Sequence, residues 1–151
     1  MKSTFRQAVF NVLKAWSDAR MQVAHAAMQA AQSSANEEGK SSAGDKYETA
    51  RAMGQLDRDM YARQYEQARQ ERQLLDRFAD ATSTDRVVQG SLARTSAGLF
   101  CVAVSAGKLT VDGQEIIAVS GQSPVGALLL GKRVGETFVF QNKKTQVLDI
   151  A

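Results

Sequence analysis

The chain has 151 residues, a formal net charge of +3, one cysteine and one proline, with 44% hydrophobic and 23% charged residues. That balance excludes a disordered chain, and the length allows one domain or two small ones. No apolar run nears the roughly 20 residues a membrane span needs, and the mild charge lacks the concentrated basic stripe of a dedicated nucleic-acid binder. Cys101 stands alone, so no internal disulfide can form and a reducing cytoplasm is the expected setting. The N-terminal segment MKSTFRQAVFNVLKAW has no clean apolar stretch and no A-x-A site, so no signal peptide is expected.

Residues 1–82 are predicted to be helical, with no proline and with many Ala, Gln, Arg, Asp and Glu. Phe5, Val9, Val12, Trp16, Ala19, Val23, Ala26 and Ala30 alternate four-then-three spacing, the a/d seam of a coiled coil. Large residues at the base and alanines further along imply helices that approach more closely toward the far end. The stretch SSANEEGKSSAG (33–44) is predicted as a loop. A second helix is expected from Asp45 to Asp80, with Met53, Leu56, Met60, Ala68, Leu75 and Phe78 on its apolar side and a stutter where Gln64 and Arg72 interrupt it. Two helices of this size, each about 50 Å long at about 1.5 Å per residue, joined by a short connection, make an antiparallel coiled-coil hairpin with an acidic tip near 37–48.

From residue 83 to 151 the pattern changes to alternation and turns. VVQGSLART, LFCVAVSA, KLTV, EIIAVS, TFVF and TQVLDI read as short strands. Asp112-Gly113 is a strong two-residue hairpin signal. In QSPVGALLLGKRVGE, Ser123 suits a helix N-cap, Pro124 the first helical position and Gly131 the stop. The expected class is therefore α+β: the helical hairpin, then a small antiparallel sheet wrapped around one short helix.

The acids Asp45 and Glu48 admit two readings. Asp45-x-x-Glu48 is a capping-box pattern, and acids in a first turn also complement the helix dipole. Equally, two carboxylates one turn apart can converge on one hard cation. The readings are compatible, since a cap that holds Asp45 rigid also preorganises it. Glu37 and Glu38 add negative charge nearby, while Lys40 and Lys46 moderate it. His25 is expected to be a solvated or packed residue of the first helix, Trp16 a large seam or interdomain residue, and Cys101 a core residue.

Two segments carry a resemblance to a known family. IIAVSGQSPVGALLLGKRVGE (116–136) resembles the C-terminal signature of the Gre-type transcription elongation factors, the GreA/GreB family. That signature is a strand, then Ser-Pro, then an apolar helix ending LLGK-x-VG-[DE]. Gly44-Asp45-x-x-Glu48-x-Ala50 resembles the family's tip motif, with Thr49 standing where the family has Asn. The resemblance spans nearly the whole chain and implies a coiled-coil hairpin followed by an FKBP-like domain. It implies a monomer that binds RNA polymerase, reaches its active centre through the secondary channel and meets the nascent RNA 3′ end only indirectly. On this reading Asp45 and Glu48 help hold a Mg²⁺ supplied at the polymerase active site and so stimulate cleavage of backtracked RNA. Gln122, Ser123 and Pro124 dock on the polymerase. The chain itself would be an accessory factor, not an enzyme, with no cofactor of its own and no metal bound in the free protein.

Three alternatives are separable. A secondary-channel regulator would bind polymerase without promoting cleavage. An FKBP-type isomerase or chaperone would need an aromatic-lined pocket, for which this half offers only Phe100, Phe138 and Phe140. An acyl-transfer enzyme using Cys101 would need a histidine beside it, yet the one histidine, His25, lies in the helical half.

Overall fold

In a computed structural model the elements run α1 (Ser3–Ser41), α2 (Asp45–Asp80), β1 (Leu92–Thr95), β2 (Gly98–Ala103), β3 (Gly107–Val111), β4 (Gln114–Ser120), α3 (Pro124–Leu129), β5 (Thr137–Phe140) and β6 (Lys143–Ile150). The structure describes residues 3–41, 45–81 and 83–151 and, of these, the side chains of all but 38–47. The class is α+β: two long helices, then a six-stranded mixed sheet with one short helix. No described helix is long and apolar enough to cross a membrane. Contacts divide the chain into two compact units, Met1–Trp16 with Arg72–Ala151, and Ser17–Glu71.

In the first unit the strands lie in the order β3-β4-β2-β1-β6-β5. Successive side chains of a strand point to opposite faces, and β2 is apolar on both. Its Leu99, Cys101 and Ala103 join a cluster with Val9, Phe10 and Leu13 of α1 and Leu75 of α2. Its Phe100 and Val102 join a second cluster, with Val125 and Leu129 of α3 and with Phe138 and Val147. The sheet is thus covered on one face by helix ends and on the other by α3. Phe10, Leu13 and Leu75 are fully buried, and each contributes about 1.5–3 kcal/mol by removal from water.

The expectation of an antiparallel sheet is corrected by one pair. β2 and β4 run parallel, from Phe100 opposite Ile117 to Ala103 opposite Ser120. The other strand pairs are antiparallel. Strands buried on both faces read as continuous apolar runs, and such runs mark a central strand without showing its direction. The Asp112-Gly113 hairpin is as expected: φ is 50° and 78° at the two residues, and Val111 pairs with Gln114 across them. That is the left-handed pair a type I′ turn requires. A second such turn, Gln141 (φ 52°) and Asn142 (φ 61°), joins β5 to β6. It carries no glycine, so only Asn142 hints at it.

Arg6 is a structural residue that the sequence pattern did not single out. It is 8% exposed, and its guanidinium stacks over the Phe10 ring at 4.7 Å. It donates to the carbonyls of Ala79 (2.7 Å), Phe78 (2.7 Å), Ala81 (2.6 Å) and Gly90 (3.1 Å). These include carbonyls left open at the end of α2, so a cation there also suits the helix dipole. Burial pulls the Arg6 pKa down, opposed by the nearby Cys101 and Asp80.

In the second unit α1 and α2 pack antiparallel through small residues. Among the described residues of this unit the buried positions are Ser17 (0% exposed), Ala24 (5%), Ala35 (5%) and Ala68 (1%). Ser17 Oγ donates to the Ala68 carbonyl at 3.0 Å, and a Cβ added to Gly54 would sit 2.7 Å from Ala35 Cβ. The expected seam through Ala19, Val23, Ala26 and Ala30 is therefore wrong in phase. Val23 is 70% exposed, and Ala19, Ala26 and Ala30 are also exposed. The contacting line is the neighbouring one, about 100° round the helix for one residue. Its small residues let the backbones approach, as where Ala35 meets Gly54. On α2, Met53 (62%) and Leu56 (68%) are likewise exposed, where an apolar side was expected.

The predicted loop at 33–44 is also corrected, because α1 continues to Ser41. Ser, Asn and Glu cost a helix little once it is nucleated. Ala35 packs against Gly54, and Gln32 Nε2 donates to Asn36 Oδ1 at 3.2 Å.

Candidate functional site

α2 opens at Asp45. Glu48, one turn on, is exposed, as are Glu37 and Thr49. The side chains of Glu38, Lys40, Asp45 and Lys46, and with them the expected capping box and any convergence of Asp45 with Glu48, lie outside the described residues. Among the described residues no three His, Cys, Asp or Glu side chains are grouped so as to hold a metal ion. In the same unit His25 is exposed and lies against Tyr65, ring centroids 5.9 Å apart and tilted by 53°. The open groove of about 480 Å³ beside these rings is lined also by Met21 and Ala26. Asp18 and Gln22 complete its lining, so a carboxylate borders it.

The segment Gln122-Ser123-Pro124 folds as its residue types dictate. Ser123 is the N-cap of α3: its Oγ accepts from Gly126 N at 3.1 Å and donates to the Ser120 carbonyl at 2.6 Å. Pro124 opens the helix, where no N–H is needed. Gly126 is required by contact, since a Cβ there would lie 1.9 Å from the Ser120 carbonyl oxygen. Gly131, with φ 83°, follows the C-cap Leu130. Gln122 and Pro124 are exposed while Ser123 is half-buried, so the loop presents a polar side chain and a rigid ring on a fixed backbone.

The sheet unit also holds a cleft of about 650 Å³, within the usual range for ligand pockets. Its floor is apolar, formed by Phe100, Ile117, Val125 and Phe140, and lysines 108, 143 and 144 border it. Phe100 and Phe140 meet edge to face, centroids 6.2 Å apart at 86°. Residues of both outermost strands, β3 and β5, line this one cavity, so the sheet is rolled about it. Phe138 and Phe140 share a strand face by alternation. That signal was present in the sequence, but nothing local showed that Lys108 would come round to meet them.

Cys101 is fully buried in the cluster on the opposite sheet face. Burial pushes its thiol up to about 12, with Arg6 pulling weakly the other way. A protonated, solvent-free thiol is a poor nucleophile, which leaves the acyl-transfer alternative without its central group. No protein-family profile matches the chain, and neither a curated protein nor a solved structure matches it.

Proposed function

We infer that the chain is an RNA polymerase-binding elongation factor of the Gre type, whose sheet unit is of the FKBP-like kind. The observation that carries this reading is the joint occurrence of two features in one chain. Two long antiparallel-packed helices have Asp45 and an exposed Glu48 at the start of the second. They precede a sheet whose short helix carries the Ser123-Pro124 cap. Helix capping explains acids in a first turn, and the Gre reading gives the same acids a further task.

On this reading the helical pair enters the polymerase secondary channel, and Gln122, Ser123 and Pro124 dock on the enzyme. Asp45 and Glu48 then assist a Mg²⁺ held at the polymerase active site, where two-metal hydrolysis needs oxygen ligands for the attacking and leaving oxygens. Small seam residues support it, because Ala24, Ala35, Gly54 and Ala68 make a thinner helical pair than a leucine seam would. Pull-down with purified RNA polymerase, followed by RNA cleavage on a backtracked complex, tests it. Binding with faster cleavage is expected. Binding without cleavage would favour a secondary-channel regulator, and no binding would sink both readings.

A further inference from the structure

The cleft of the sheet unit is not used by the reading above, and its chemistry is specific. Lys108, Ile117 and Phe100 lie side by side across β3, β4 and β2, since Lys108 pairs with Ile117 and Ile117 with Phe100. Directly paired residues project to the same sheet face, so a lysine edges an apolar row. From the other end of the sheet, Phe140 pairs with Lys143 and both line the same cavity. The cleft therefore has an aromatic and aliphatic floor with a cation at each side and no carboxylate in its lining. Lys108 has an acid nearby, Glu115 at 3.6 Å, but both side chains are well exposed, 75% and 63%. Such a pair is weak and easily exchanged.

The second observation is the strand that borders the cleft. β5 ends the sheet, and an end strand offers backbone donors and acceptors to an added strand. Its Phe138 and Phe140 point to the cleft side, with Phe138 buried and Phe140 half-buried, while Val139 on the other side is 65% exposed. A segment added along β5 would set alternate side chains over the floor and its charges near the lysines. An enclosed small-molecule site would need no such edge.

We propose that this cleft binds an extended acidic peptide segment, added along β5, with one apolar or aromatic side chain seated on Phe100, Ile117 and Phe140 and flanking carboxylates on Lys108 and Lys143. The apolar anchor supplies burial, and the lysines supply orientation and a salt-sensitive rate of association. Lys144, paired with Val139 and so on the opposite strand face, contributes less.

The experiment uses the full chain and a fluorescein-labelled peptide, EDEFEDE, followed by fluorescence anisotropy with no polymerase present. Its failure is thereby distinguishable from failure of the elongation-factor reading. Saturable binding is expected, weakened about tenfold or more by Lys108→Glu with Lys143→Glu. It is expected to weaken similarly when the peptide's Phe is replaced by Ser or when alternate backbone amides are N-methylated. Circular dichroism checks that the double variant folds, and Lys108→Gln with Lys143→Gln serves as a milder second pair. No saturable binding overturns the proposal, as does binding indifferent to either lysine pair. Equal affinity for the N-methylated peptide overturns strand addition. Displacement of the peptide by a short RNA at lower concentration than by unlabelled peptide would reassign the cleft to nucleic acid.

Discussion

The sheet unit and the helical unit are built on opposite packing rules. In the first, large side chains interlock: Phe10, Leu13, Leu75, Phe100, Ile116 and Leu129 are 2% exposed or less. In the second, the helices touch through Ser17, Ala24, Ala35, Gly54 and Ala68, which bury little area but let backbones approach. Apolar area removed from water is the main source of stability. The comparison teaches that the sheet unit is held by burial and the helical unit by fit, so each should fail differently.

The largest effect is expected in the sheet unit. Leu13→Ala removes a fully buried side chain and should cost about 2–5 kcal/mol, read as a lower urea midpoint with the slope unchanged. A cost under about 1 kcal/mol would mean that the cluster collapses to fill the space, and burial would not be the rule there. In the helical unit, adding bulk should hurt more than removing it. Gly54→Leu drives a side chain into Ala35, already 2.7 Å from an ideal Cβ. It should cost about 1–3 kcal/mol, although leucine is the better helix former. Amide hydrogen exchange should show the loss within 17–71. A stabilised Gly54→Leu would break the comparison.

The pH dependence sharpens it next. Cys101 titrates near 9 in an unfolded chain and at about 12 when buried. The folded state therefore keeps a proton that the unfolded state loses. The contribution is complete below about 9 and declines as pH rises, on the order of 1.4 kcal/mol per unit. Urea midpoints measured from about pH 8 to about pH 10.5 should fall more steeply for the wild type than for Cys101→Ala. The smallest effect is expected on the helical unit's outer surface. Met53→Gln with Leu56→Gln should change stability by under about 0.5 kcal/mol, because both side chains are already exposed. A larger loss would return them to a seam.

Much of the fold was legible because local chemistry and tertiary structure agree there. Asp112-Gly113, the Ser123-Pro124 cap and Gly131 each specify a backbone conformation, and each is found where its residue type demands. The heptad period of α1 was legible too, but its phase was not. Val23 draws the eye as the larger residue, while the true line runs through Ala24, whose smallness lets the backbones approach. The parallel pairing of β2 with β4 was hidden because Phe100–Ala103 and Ile117–Ser120 carry no mark of direction. Arg6 was missed since its partners, 72 to 84 residues away, are backbone carbonyls that leave no trace in side-chain spacing. At the candidate site, Glu48 could be named and found exposed. The cleft instead depends on the rolling of the sheet, which brings Lys108 and Phe140 together from its two ends.

On the elongation-factor reading proposed above, the helical unit carries Asp45 and Glu48 to the polymerase active centre. The most direct measure of that claim is the rate of RNA cleavage in a backtracked RNA polymerase complex at saturating protein, compared between wild type and Asp45→Asn with Glu48→Gln. The account predicts faster cleavage with the wild type, and with the double variant a fall of about a hundredfold or more toward the factor-free rate while polymerase binding is kept. Equal cleavage by the two proteins, or none by either when bound, would contradict it.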